Sequence, residues 1–341
     1  MSHTFGRRRV LTRGLALACA SLLAVTASAC EKAGDGGDAD YPSDTLQVMA
    51  PAAAGGGWDL TARSIQQGLT DSGLVTSAVE VYNVEGAAGT LGLAQLVTKN
   101  EGDPHQLMVM GLVMIGGVVT NKSPVNLTQV TPIATLTAEQ EVVVVPADSP
   151  YENLQQLMEA AKATPDAINW GGGSAGGTDQ ILVGLLAKAA GADPRAMKYL
   201  PYSGGGESKA ALLSGDLTAA VSGVSEYADL VAAGEVRVLA VSGPTGVDAG
   251  EGKPSPTIKE AGYDVELMNW RGIVAPPGID DDERSAVIAL VDKLHASTQW
   301  QQTLAEQGWD DFYKSGDEAA AFFTSETERI TAVLTDIGLA G

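Results

Sequence analysis

From Thr45 onward the chain alternates short runs of apolar residues with longer segments whose apolar positions recur every three or four residues. The short runs at 46–49, 79–84 and 107–112 predict strands buried on both faces, and the periodic segments at 60–69 and 90–98 predict the helices between them. That is the βαβ rhythm of a parallel sheet covered on both sides. The run 141–146, four valines framed by Glu141 and Pro146, is the most β-prone stretch, and Ala147-Asp148-Ser149-Pro150 breaks it. A second βα series follows, with helices at 154–163, 178–190, 208–213 and 227–233 and strands at 168–170, 197–201, 219–222 and 236–241. An extended segment at 265–274 then leads to helices at 280–295, 299–307 and 317–337, the last with Ser315 as its cap and Glu318 three residues on.

Glycine marks where strands hand over to helices. Gly55-Gly56-Gly57 precedes Trp58-Asp59, and Glu85-Gly86-Ala87-Ala88-Gly89-Thr90 forms a second corner. Gly171-Gly172-Gly173-Ser174-Ala175-Gly176-Gly177-Thr178 and Tyr202-Ser203-Gly204-Gly205-Gly206-Glu207 form two more in the second series. Glycines leave backbone N–H groups uncovered, and a helix start adds unpaired donors and partial positive charge, so each corner suits an anion. Ligands of open parallel sheets sit beyond the carboxyl ends of the strands. Two such sheets face to face would surround a small ligand with backbone donors. Asp59 and Arg63, four apart on one helix with the acid first, read as a structural ion pair. Trp58 suits either the pocket floor or the core, and Trp170 and Trp270 read as packing residues.

The N-terminus changes the picture. Arg7-Arg8-Arg9, an apolar run at 14–25 and the small residues Thr26-Ala27-Ser28-Ala29 before Cys30 have the parts of an export signal. Residues 1–29 are thus expected to be removed, with Cys30 resembling the lipid-modified cysteine of bacterial lipoproteins and 30–44 acting as a flexible tether. The expected location is the outer face of the cytoplasmic membrane. Cys19 lies in the removed segment, so the mature chain has no internal disulfide and depends on the size of its core. Removing four arginines and no acids takes the net charge from −21 to −25, which argues against nucleic acid as a partner. An anionic ligand would be repelled at long range, so local donors must bind it.

Catalytic and cofactor motifs are weaker. Gly172-Gly173-Ser174-Ala175-Gly176 fits the nucleophile elbow of hydrolases, but His295 is the one histidine downstream and lies in a helical segment. An exported serine esterase or amidase using Ser174 is the alternative reading. Gly171, Gly173 and Gly176 have dinucleotide spacing, yet the next strand runs into Tyr202-Ser203 where that fingerprint wants an acid. No phosphate-loop lysine motif occurs, and His3, His105 and His295 are too scattered for a metal site, so neither cofactor nor metal is expected.

The ordered blocks resemble one family. Pro51 with Gly55-Gly56-Gly57-Trp58-Asp59-Leu60-Thr61-Ala62-Arg63, then Asn83-Val84-Glu85-Gly86-Ala87-Ala88-Gly89-Thr90-Leu91-Gly92 and Pro201-Tyr202-Ser203-Gly204-Gly205, are similar to successive signatures of the substrate-binding receptors of tripartite tricarboxylate transporters, the Bug-type receptors. Pro256-Thr257-Ile258-Lys259-Glu260-Ala261-Gly262, Trp270-Arg271-Gly272 and Ala275-Pro276-Pro277-Gly278 resemble the later blocks in order. The resemblance implies a periplasmic-binding-protein-like α/β fold of two domains with mostly parallel sheets, 45–142 with 269–341 and 143–268, closing about crossings near 142–146 and 268–274. It implies a monomer that binds a small di- or tricarboxylate without catalysis and delivers it to membrane permease subunits. Ala54, Gly55, Gly56, Gly57 and Trp58, together with Gly86, Ala87, Ala88, Gly89 and Thr90, would hold one end of the ligand. Ser174, Gly176, Gly177, Thr178, Asp179, Tyr202, Ser222, Gly223 and Val224 would hold the other.

Overall fold

The computed structural model describes residues 41–202 and 205–340. The expected export signal, Cys30 and most of the expected tether lie outside the described residues.

The chain begins with β1 (Leu46–Ala50), α1 (Gly57–Asp71), β2 (Val79–Asn83), α2 (Thr90–Lys99), β3 (Gln106–Gly111) and α3 (Leu112–Thr120). β1 pairs in parallel with β2 on one side and β3 on the other, as the apolar runs predict. The short helix α3 departs from the sequence reading, because its residues up to Thr120 carry no polar face to reveal a helical period. Leu112, Met114 and Ile115 are all buried.

β4 (Thr131–Pro146) is the longest strand at 16 residues, of which the sequence predicted only the valine-rich end. Its earlier part reads poorly because Thr135, Thr137, Glu139 and Gln140 are polar, yet all four are buried. Beyond it come α4 (Leu154–Ala163), β5 (Asn169–Gly172), α5 (Thr178–Ala189), β6 (Lys198–Pro201), α6 (Gly205–Leu213), β7 (Ala219–Gly223), α7 (Val224–Ala232) and β8 (Val236–Val241). The chain closes with β9 (Met268–Ala275), α8 (Asp281–His295), α9 (Thr298–Gln307), β10 (Asp310–Ser315) and α10 (Gly316–Asp336).

β4 belongs to both halves. Residues 131–140 pair antiparallel with β9, which in turn pairs with β3, while β10 takes the other side of β4. From Glu141 the partners become β7 and β8, also antiparallel, and β7 continues in parallel to β5 and β6. The result is a two-domain α/β architecture in which each half carries a parallel group of strands and one strand runs through both. β9 begins at the same junction, where Met268 pairs with Gln140 and the preceding Leu267 donates its N–H to the Ser242 carbonyl.

Trp170, Trp270 and Trp300 are buried, and Trp270 stacks on Phe323 while donating its indole N–H to Glu326 at 2.9 Å. Asp280 and Glu283 form a reciprocal capping box at the start of α8. Ser315 does stand at the start of α10, but its side chain makes no capping bond, and Glu318 pairs with Lys314 instead.

Candidate ligand-binding cleft

The glycine corners of both halves open on one cavity of about 410 Å³. Its first wall is the turn after β1, from Pro51 to Ala53 and from Gly56 to Trp58, and its second is the loop from Glu85 to Gly89. Gly173 to Ala175, Tyr202, Ser222 and Gly223 approach from the other half, and Arg271 of β9 supplies part of the floor.

Asp59 organises the first wall. One carboxylate oxygen accepts the Gly55 N–H at 2.8 Å and the Arg63 Nε–H at 2.9 Å, and the other accepts the Asn83 amide at 2.9 Å. Burial by itself raises the Asp59 pKa, but the Arg63, Gly55 and Asn83 hydrogen bonds outweigh it and hold the carboxyl below its ordinary value. Asp59 is buried, whereas the Arg63 side chain is half-exposed and does not line the cavity. The pair therefore shapes the corner. Trp58 does both jobs the sequence allowed: it is 8 % exposed, lines the cavity and lies against Gly89.

The second wall is a run of left-handed backbone, with φ of +133° at Gly86, +50° at Ala87, +53° at Ala88 and +85° at Gly89. Two alanines in that region cost roughly 1–2 kcal/mol each, and the surroundings hold them there. The Thr90 hydroxyl donates to the Ala87 carbonyl at 2.9 Å, the Asn121 amide donates to the same oxygen at 3.1 Å, and Gly117 of α3 leaves room beneath Ala88.

The far wall is acidic. Asp179, in the first turn of α5, accepts the Gly173 N–H at 2.5 Å, and Tyr199 donates to the Gly173 carbonyl at 2.9 Å. Burial pushes the Asp179 carboxyl up to about 7, against the pull of that N–H. Burial also raises Glu226, although the Ser222 hydroxyl donates to it at 2.9 Å, and it raises Glu141 well above the usual range, helped by the charges of Asp179 and Glu139. Arg271 is the one cationic side chain among the described lining residues. Its Nη2 donates to Glu139 at 3.2 Å, and its guanidinium lies 5.5 Å from the Trp309 ring centre and packs against Gly57.

Of the expected contacts, Gly56, Gly57, Trp58, Gly86, Ala87, Ala88 and Gly89 line the cavity from the first half. Ser174, Asp179, Tyr202, Ser222 and Gly223 line it from the second. The others fall outside the lining, for local reasons. Ala54 is exposed, the Gly55 N–H is committed to Asp59, and the Thr90 hydroxyl turns back to its own loop. Gly176 gives its N–H to the Gln180 side chain, Gly177 bonds back to Ser174, and Thr178 reaches Asn269 at 3.4 Å. Val224 packs into the smaller apolar cluster. The sequence reading missed Arg271, Glu226 and Asn269 as lining residues. Trp270-Arg271-Gly272 stands out in the sequence, but nothing local shows that this strand passes under corners some two hundred residues upstream. His295, which a hydrolase at Ser174 would need, bonds Asp311 at 2.9 Å, stacks on Tyr313 and does not line the cavity.

Residues 61–339 match the family model described as the tripartite tricarboxylate transporter family receptor. The chain belongs to that family. A relative from Pseudomonas sp. (strain P51), the UPF0065 protein in the tcbD-tcbE intergenic region, is 27 % identical, the alignment covering 98 % of this chain and 95 % of the relative. Among solved structures, Rpa4515 of R. palustris with adipate superposes with a TM-score of 0.77 at 21 % identity, covering 88 % of this chain and 99 % of that one. MatC (Rpa3494) of Rhodopseudomonas palustris, with bound malate, gives 0.75 at 22 % identity, covering 86 % and 100 %. These likenesses give the fold of this family member, a periplasmic-binding-type α/β protein of two domains. Among its described residues no helix is long and apolar enough to cross a membrane.

Proposed function

We propose that this chain is a lipid-anchored extracytoplasmic receptor that captures a small organic acid of the di- or tricarboxylate class and passes it to a permease of the tripartite tricarboxylate type. One observation carries the reading. A cavity of about 410 Å³ lies between two sets of glycine corners and has Arg271 as its cation. Backbone N–H groups and one buried guanidinium bind a carboxylate in a chain whose overall charge repels it. Malate in MatC and adipate in Rpa4515 support the choice of ligand class.

The two domains would be 45–142 with 269–341 and 143–268, closing on the ligand where β4 changes partners. Cys30 would carry the lipid and hold the receptor beside its permease. In this reading the site binds rather than reacts, and the hydroxyl of Ser174, which lines the cavity, would serve as a ligand donor.

A thermal-shift screen of the mature protein against organic acids tests this, since a ligand that binds only the folded state raises Tm. The expected result is a saturable rise with at least one carboxylic acid and no turnover. A flat response to every acid tested would end the reading. Replacing Cys30 with alanine should move the protein from the membrane fraction to the soluble one.

A further inference from the structure

The cavity holds more acid than a purely anionic ligand would accept. Glu85, Asp179, Glu207 and Glu226 line it against a single cation, and that cation already bonds Glu139. Behind the lining stands Glu141, fully buried, its carboxyl in hydrogen-bonding reach of Asp179 and met by no other donor. It faces Asp179, Glu139, Glu226 and Arg271. Asp179 is itself only 8 % exposed. At low effective dielectric, a second carboxylate brought against this wall is repelled, while a cation is attracted.

The wall is one-sided. The buried acids belong to β4, α5 and α7, whereas the α1 corner, the left-handed loop and Arg271 offer donors on the opposite side and the floor. A metal ion does not suit it: no group of three or more His, Cys, Asp or Glu side chains among the described residues is gathered closely enough to hold one. An extended organic ligand with opposite charges at its two ends does.

We infer that the ligand is a zwitterion, an amino-bearing carboxylic acid whose carboxylate meets Arg271 and the α1 corner and whose protonated nitrogen sits against Asp179 and Glu226. This rests on the carboxylate-receptor reading above and narrows its substrate class. In the empty site the acids relieve their repulsion by keeping protons. An ammonium group allows them to ionise, so binding at neutral pH releases protons to solvent. The groups facing Asp179 are Glu141 of β4, Glu226 and Tyr227 of α7 and Tyr199 of β6, and behind them Glu139 and Arg271 face Glu141.

Isothermal titration of the mature protein with matched pairs decides it: malate with aspartate, 2-hydroxyglutarate with glutamate, and succinate with β-alanine. The expected result is at least tenfold tighter binding of the amino member of one pair, with proton release when buffers of different ionisation heat are compared. Asp179→Asn should abolish that release, and Asp179→Asn and Glu226→Gln should each shrink the preference at least tenfold. Thermal melts of both variants establish that they fold. Equal or tighter binding of the amine-free member of every pair, or proton uptake on binding, overturns the inference and leaves the carboxylate reading standing. Binding of no member of any pair, nor of any acid in the screen above, removes both.

Discussion

Gly116 of α3 and Gly176 of the loop before α5 meet so closely that a methyl group on the first would overlap the carbonyl oxygen of the second. This contact joins the two halves at the edge of the ligand cavity, and the obstructing atom is backbone, which cannot rotate aside. Gly116→Ala should therefore push the loop outward, lowering stability by about 1–3 kcal/mol and weakening ligand binding together. Chemical denaturation and titration measure the two effects. Unchanged values in both would show that the approach is not kept in solution.

The left-handed loop makes opposite demands at neighbouring positions. Gly86 has a φ of +133°, which side chains rarely adopt, and an added Cβ would lie 2.6 Å from the Leu91 side chain. Gly86→Ala should cost about 1–2 kcal/mol and reduce affinity, whereas Ala88→Gly relieves strain and should leave stability level or slightly higher. Paired urea titrations compare them, and equal losses from both substitutions would sink this account of the loop.

Asp59 predicts an acid-side weakness. Its folded pKa lies below the unfolded value because Arg63, Gly55 and Asn83 favour the carboxylate. The stability it contributes is present above the unfolded pKa and disappears as pH falls through the folded one. Asp59→Asn should lower stability at pH 7 by about 1–3 kcal/mol, with the gap from the native protein narrowing at the most acidic pH tested. A gap that does not change with pH would assign Asp59 a role independent of its charge.

Asp179 behaves in the reverse sense. Its folded pKa of about 7 exceeds that of an exposed aspartate, so the folded protein binds more protons than the unfolded chain across the interval between the two values. The ligand-free protein should lose stability as pH rises from about 4 to 7, and Asp179→Asn should flatten that slope. Melts across this range in the absence of ligand provide the measurement. An unaltered slope in the variant would shift the cause to Glu141 or Glu226, which burial raises as well.

What the sequence revealed follows from how locally each signal is encoded. The parallel strands and the four glycine corners could be read because valine runs, clustered glycines and helical periods lie within a few residues of one another. The polar half of β4 could not, since Thr135, Thr137 and Glu139 are buried only because β9 and β10 flank them. Arg271 joins the site through pairing of β9 with β3 and β4, a relation between distant parts of the chain. Ala87 and Ala88 carry no mark of their left-handed backbone, because alanine ordinarily avoids it. Asp59 and Arg63 were legible as a pair from spacing alone; the link to Gly55 and Asn83 needed the fold.

β4 also limits how such a protein can diversify. Glu139 and Glu141 flank the point where the strand exchanges one set of partners for the other, so they back the acidic wall of the pocket and would share the joint on which the halves turn in the proposed closure. A substitution there would alter ligand choice and mechanics at once. Asp179 and Glu226, carried on helices α5 and α7, are free of that double duty. New ligand preferences are most readily acquired on those two helices, while the shared strand stays as it is.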